Sequence, residues 1–356
     1  MKTAPATRKP DANQLAWRKI VAQYEHPSVW RSGWQVVNSL FLYFLFWYLM
    51  YLSLNISYWL TLALAIPAAG LLVRSFIILH DCGHGSFFKS QKVNVILGGV
   101  VGVLTFTPFY YWRHDHAVHH ATAGDLDRRI VGDIWTMTVK EYLASSPWKR
   151  FAYRLYRNPL VMFGLGPIFL FLITYRFARP AANKRERHSV YRTSLVILGI
   201  GVLMSVTIGL RNYVLVQLPI MMIASSAGVW MFYVQHQFEE VYWERHENWD
   251  YVAVALQGSS FYKLPKVLQW FTGNIGFHHI HHLSPRIPNY YLEKCYKENP
   301  MFQRMKQITL RSSLKTLSLR LWDEDSRKLV GYGAINARGD RQALKSGRRR
   351  SAQEKI

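Results

Sequence analysis

The chain predicts an all-α integral membrane protein: two transmembrane helical hairpins, shorter re-entrant or interfacial helices, and a histidine-rich cytoplasmic cap. Three observations carry that class. Four stretches of about 20 residues are apolar and hold one charge between them. Lys and Arg number 44 against 21 Asp and Glu, a net charge of +23 that gathers in the segments between the stretches. Most of the 14 histidines fall in three clusters just outside them. The same composition excludes other classes. Aromatic residues make up 15% of the chain, far more apolar surface than a disordered segment carries. Cys82 and Cys295 are the only cysteines and lie far apart, so this is no disulfide scaffold. The mean hydropathy of −0.03 averages apolar runs with basic ones and describes neither.

Residues 1–35 are polar and basic and lack the apolar core of a cleavable signal. Residues 36–55 then run without a charge, long enough for a hydrocarbon layer of about 30 Å. Residues 58–79 form a second span, interrupted only by Arg74, which is placed to snorkel. Residues 193–210 and 213–234 make a second pair about Arg211-Asn212. Two further stretches, 93–110 and 159–175, are shorter and broken by Gly and Pro. The loop after them holds Arg176, Arg179, Lys184, Arg185, Arg187 and Arg192 against Glu186 alone, an excess that stays cytoplasmic. With a basic N-terminus also inside, 93–110 and 159–175 cross together or not at all. The non-crossing reading keeps residues 80–192 on one face. The domain is expected over 36–325, followed by a basic flexible tail, 326–356, with Arg338, Arg341, Lys345, Arg348, Arg349 and Arg350 near anionic lipid. The charge excess thus orients a membrane protein, and no nucleic-acid partner is needed to explain it.

The histidines repeat one spacing. His80 and His84 stand at i and i+4 where the second span emerges; His116, His119 and His120 stand at i, i+3 and i+4; His278, His281 and His282 repeat that pattern. Such spacings bring imidazoles to one helical face. His236 stands alone after the fourth span. Burying so many imidazoles without metal would leave costly unpaired nitrogens. No thiolate set is present, which argues against iron–sulfur and cysteine-type zinc. Nine nitrogens exceed one tetrahedral site and suit two metals. Asp81, Asp115, Asp125 and Glu239 are placed to accept the second imidazole N–H, or are ordinary solvated carboxylates. A dimetal centre reached from lipid points to oxidation of an apolar substrate, for which iron with O2 supplies the oxidant.

The boxes HDCGH, HAVHH and HHIHH, in that order around two hairpins, resemble those of the membrane fatty acid desaturases. GDIW (132–135), YRLYRNP (153–159), FYVQHQFE (232–239) and residues 258–290 extend the likeness to roughly 30–325, closest to the Bacillus-type bacterial acyl-lipid desaturases. The resemblance implies two iron ions held by His80, His84, His116, His119, His120, His236, His278, His281 and His282. It leaves His114 and His279 without a ligand role. Phe232 stands where the animal acyl-CoA relatives place an Asn that holds metal-bound water, and Asn274 is a candidate neighbour of the ligands. The implied reaction is O2-dependent insertion of a cis double bond into phospholipid acyl chains in the bacterial cell membrane. Regiochemistry points to Δ5, with Δ9, Δ10 and Δ12 open. No electron-carrying domain is visible, so the donor is expected to be ferredoxin or flavodoxin, docking on the basic segments 184–192 and 348–350. A diiron hydroxylase or ketolase stays open as the alternative. A metal transporter is disfavoured, because the spans hold no ionisable ligand besides Arg74.

Overall fold

Ser28 caps the first long helix, which begins at Val29, seven residues before the uncharged run. Its hydroxyl accepts the Arg31 N–H (3.4 Å), so a donor orphaned at the helix start finds a partner. The computed structural model describes residues 12–129 and 132–335; the tail positions from Arg338 onward lie outside the described residues. After α1 (Ala12–Ala22), α2 covers Val29–Ser53 and α3 covers Tyr58–His84. The two pack as a hairpin whose corner is tied by the hydroxyls of Ser53 and Thr61, 2.7 Å apart. In its most apolar window α3 is 61% buried against 22% for α2, so α3 is the central helix and α2 presents its side chains outward.

The two broken stretches are bent in space. α4 (Gln91–Leu104) turns by 102° into α5 (Phe109–Thr122). At 14 residues α4 reaches only about 21 Å, short of a hydrocarbon layer. Gly102 makes the turn possible, since a Cβ there would stand 2.5 Å from the Thr107 carbonyl oxygen. Further on, β1 (Met137–Thr138), α6 (Val139–Ala144) and α7 (Pro147–Tyr156) lead into a second bend of 58° before α8 (Gly166–Leu172).

α9 (Lys184–Met204) passes through a wide helical turn at 205–209 into α10 (Leu210–His236). Gly209 sits at φ 87°, where a side chain would be strained. Glu186 near the start of α9 faces His114 of α5 (3.5 Å), and His236 at the end of α10 meets His119 of the same helix (ring centroids 4.7 Å). A straight helix would carry those ends about 75 Å apart, so the chain reverses near Gly209. α10 returns along α3 and is pinned to α2 by the Trp47 indole N–H on Gln217 Oε1 (3.0 Å).

The cap departs from the expected all-α class. β2 (Phe261–Lys263) pairs in parallel with β3 (Gln307–Thr309), and β1 pairs in parallel with β4 (Leu321–Asp323), itself antiparallel to β5 (Lys328–Val330). These strands of two or three residues clip loops together, a task that period-3.6 patterning cannot signal. β5 also lies beyond residue 325, with Leu329 buried, so ordered structure continues into the segment expected to be a flexible tail. Between the strands run α11 (Tyr251–Gln257), α12 (Lys266–Phe271), α13 (His278–Leu283) and α14 (Asn289–Glu298). Arg157, fully buried after α7, fastens cap to bundle by donating to Thr136 Oγ1 (3.1 Å), Gln237 Oε1 (3.0 Å) and the Leu319 carbonyl (3.0 Å).

Candidate metal centre

α3 does not stop where its apolar run stops. It continues to His84 and ends at Gly85 in the left-handed conformation (φ 69°), the usual way to close a helix with glycine. Its last turn therefore presents His80 and His84 together. α5 brings His116, His119 and His120, α13 brings His278, His281 and His282, and α10 delivers His236 as its final residue. All nine converge, in two groups. His80, His84, His116, His120 and His281 form one; His119, His236, His278 and His282 form the other. Within each group the ligand nitrogens lie within 4.8 Å of one another. The second and third boxes each serve both groups, because a residue at i+3 is rotated away from the pair at i and i+4.

The donor set fits metal. Nε2 atoms stand 3.0 Å apart for His84 and His116, 3.2 Å for His116 and His120, and 3.0 Å for His120 and His281. In the other group the spacings are 2.9 Å for His236 and His278, 3.1 Å for His278 and His282, and 3.3 Å for His119 and His282. An ion bonded to imidazoles at about 2.1 Å separates neighbouring nitrogens by about 3.0 Å at 90°. His80 Nε2 is buried without any partner, the orphan that an ion would satisfy.

The far sides of several rings fix which nitrogen faces inward. His80 Nδ1–H donates to Asp81 (3.0 Å), His236 Nδ1–H to the Gly258 carbonyl (3.2 Å), and His119 Nδ1–H to Asp133. Each bond leaves Nε2 as a lone pair aimed into its cluster. Burial first, and then mutual repulsion, holds His278, His281 and His282 well below the ordinary histidine pKa, so α13 presents neutral, ligand-ready imidazoles. Aromatic rings close the site: Trp112 stacks on His116 (4.6 Å, 15°), and Phe232 packs against His119 (4.9 Å) and His236 (5.2 Å).

The carboxylates divide. Asp81 accepts from His80 and also from the backbone and side-chain amides of Asn289 (2.7 and 2.8 Å). Asp115 instead pairs with Arg179; burial raises its pKa despite that cation. Asp125 is buried, yet hydrogen bonds from Arg128, His246 and the Asp127 N–H hold its carboxyl below the ordinary range, and it ties loops together. Glu239 faces Lys328 at the surface. Asn274 does not reach the histidines. It takes a left-handed turn conformation (φ 59°) and accepts from Gln269 Nε2 (2.7 Å). His114 faces Glu186, and His279 is buried against the Phe302 carbonyl (3.1 Å), both outside the clusters. Sequence reasoning assigned no role to Asp133, although GDIW marked it. Gly132 beside it has φ 82°, and a Cβ there would stand 2.7 Å from the Asp115 carbonyl oxygen and 3.1 Å from His119 Cβ.

Comparison with known proteins adds to this geometry. The family described as fatty acid desaturase matches residues 57–312, which span every one of the nine histidines. A fatty acid desaturase of Bacillus subtilis (strain 168) is 51% identical over 317 residues, covering 89% of this chain and 90% of that protein. More distant are the sn-1 oleoyl-lipid 12-desaturase of Synechocystis, 27% identical over 64% of this chain and 66% of its own length, and the sn-1 acyl-lipid omega-3 desaturase (ferredoxin) of Nostoc, 25% identical over 62% of each. Nine convergent imidazoles, three of them closing the long apolar helices α3 and α10, in a chain matched this far along its length, place it in the fatty acid desaturase family.

Proposed function

We propose that the chain is an O2-dependent acyl-lipid desaturase that inserts a cis double bond into acyl chains of membrane phospholipids. The observation that carries this reading is the division of nine histidines into groups of five and four beside the ends of the long apolar helices α3 and α10. Two iron ions would be held there, one by His80, His84, His116, His120 and His281, the other by His119, His236, His278 and His282. Bound iron would supply the O2 activation that removal of hydrogen from an unactivated methylene requires, using electrons delivered from outside the chain. The balance is –CH2–CH2– plus O2, two electrons and two protons, giving –CH=CH– and two waters. The protein holds and orients: Asp81, Asp133 and the Gly258 carbonyl fix ring tautomers, and Trp112 and Phe232 exclude water beside the ligands. No side-chain base or nucleophile is required.

The electrons come from a separate ferredoxin or flavodoxin; the ferredoxin named for the Nostoc relative supports that donor class. The protein sits in a bacterial cell membrane with four crossings, the two bent helix pairs not crossing, and termini and histidines on the cytoplasmic side. Domain limits follow the sequence expectation at 36, with the folded cap reaching at least Ile335. The double bond is placed at Δ5, where the resemblance to Bacillus-type enzymes points. Expression in a host lacking unsaturated lipids, followed by mass spectrometric location of the double bond, tests the reaction and its position. Labelled O2 separates the hydroxylase or ketolase reading: label appearing in the lipid product would overturn desaturation. His281→Ala and His119→Ala each remove a ligand from one group and are expected to lower bound iron and abolish product.

A further inference from the structure

α9 changes character abruptly. Lys184, Arg185, Arg187 and Arg192 crowd its first nine residues, and the next charged residue in the chain is Arg211. That switch marks the depth where headgroups give way to hydrocarbon. α4 runs beside it, and a cleft of about 610 Å³ opens between the two helices. Its rim holds Lys184, Arg185, His188 and Arg192, while Val103 and Val196 belong to its walls. The rim is uncompensated. Glu186 turns inward, buried against Asn183 and His114, and among the described residues no carboxylate pairs with Lys184, Arg185 or Arg192. Arg187 is the exception, already spent on the carbonyls of Ala182 and Pro180.

We propose that the α4–α9 cleft binds one anionic phospholipid, its phosphate at Lys184, Arg185 and Arg192 and its acyl chains along the walls at Val103 and Val196. Cations above apolar walls complement an anionic amphiphile, whereas a free anion would leave those walls unused. This also reassigns the segment expected from sequence to dock an acidic electron carrier, since a soluble protein cannot follow walls into hydrocarbon. The lipid would brace the histidine site from outside. Arg185 lies 4.6 Å over the Tyr110 ring, and the Tyr110 N–H donates to Ser189 Oγ (3.1 Å), so α9 grips the first turn of α5. His116 lies six residues on, about 9 Å along that helix.

The site is separate from the histidines and its binding can be read without turnover. Purified full-length protein in detergent is titrated with dioleoyl phosphatidylglycerol or dioleoyl phosphatidylcholine, and bound lipid is counted by native mass spectrometry. The wild-type chain should retain one phosphatidylglycerol where it retains no phosphatidylcholine. The K184Q/R185Q/R192Q variant should bind it about a hundredfold more weakly. Gly99 lines the cleft with open space where a Cβ would go, so Gly99→Phe should fill the wall and block the lipid while keeping every charge. An R304Q/R311Q/K315Q control, which loses the same three charges at exposed positions elsewhere, should bind normally. Undiminished binding in both cleft variants, equal retention of phosphatidylcholine, or displacement by millimolar inorganic phosphate would each refute a lipid site. So would a charge variant that keeps phosphatidylglycerol but loses the salt dependence of ferredoxin-driven turnover, which would return the patch to the electron carrier.

Discussion

Asp133 accepts the Nδ1–H of His119 across 14 residues of chain, from a loop where only a glycine fits beside it. The bond fixes the tautomer that turns Nε2 of His119 toward His282, and the carboxylate strengthens the ring as a donor. Asp133→Ala is therefore expected to weaken iron binding by about 10- to 100-fold, with Asp133→Asn intermediate, because an amide carbonyl still accepts but carries no charge. Gly132→Ala should act in the same direction by pushing Asp133 off the ring. Iron per chain and product yield measure both. A melting point lowered in the metal-free protein, with iron affinity intact, would make Asp133 a loop fastener and nothing more.

Asp81 has a double duty. It orients His80 and also receives both amides of Asn289 at the start of α14. Asp81→Ala should cost about 1–3 kcal/mol of stability, since the His80 ring and both Asn289 amides lose their acceptor, and should deplete iron from the five-histidine group. Asn289→Ala should cost less and spare the iron, because His80 keeps its partner. Thermal unfolding in detergent beside metal analysis separates the two; equal iron loss in both variants would contradict the division of roles.

Much of this was readable in the chain, for a physical reason. Ligand histidines at i, i+3 and i+4 are set by helix geometry, and apolar runs are set by membrane thickness, so both are local properties. The choice between partners is not local. Asp115 and Asp133 flank the same box, yet only the fold decides that Arg179 claims Asp115 while Asp133 reaches His119. Asn274 lies four residues before His278, but Gly273 and Asn274, both at positive φ, open the loop that turns its side chain toward Gln269. The strands β1, β4 and β5 were illegible because pairs of two or three residues leave no periodicity to read.

Acid should destabilise the metal-free protein well before carboxylates titrate. Burial holds His278, His281 and His282 far below their unfolded pKa, and lowers His279 to about 3. The unfolded chain takes up those protons from about pH 6.5 downward while the folded chain does not, so stability falls as pH falls. Each such histidine contributes a slope of about 1.4 kcal/mol per pH unit below that point, and His279 alone costs about 2 kcal/mol at pH 5. The melting temperature should drop between pH 7 and 5. His279→Gln should reduce the slope by about one proton, whereas a melting curve indifferent to pH would mean that these rings are solvated.

Reversal at Gly209 makes a topology prediction that labelling can test without background. Both native cysteines are buried, and burial pushes the Cys295 thiol up to about 12, so neither should react with an impermeant maleimide. Cysteines placed at Asn55 and Arg211, at the two hairpin tips, should be labelled in intact cells. Cysteines at Lys140, after the first bent pair, and at Lys315, in the cap, should be labelled only after lysis. The position at Lys140 is the sharpest of the four. In the proposed arrangement His116 and His120 share a ligand group with His80 and His84, so α4 and α5 would enter the membrane only by turning back within it. External labelling at Lys140 would make that bent pair a crossing and overturn the four-span arrangement.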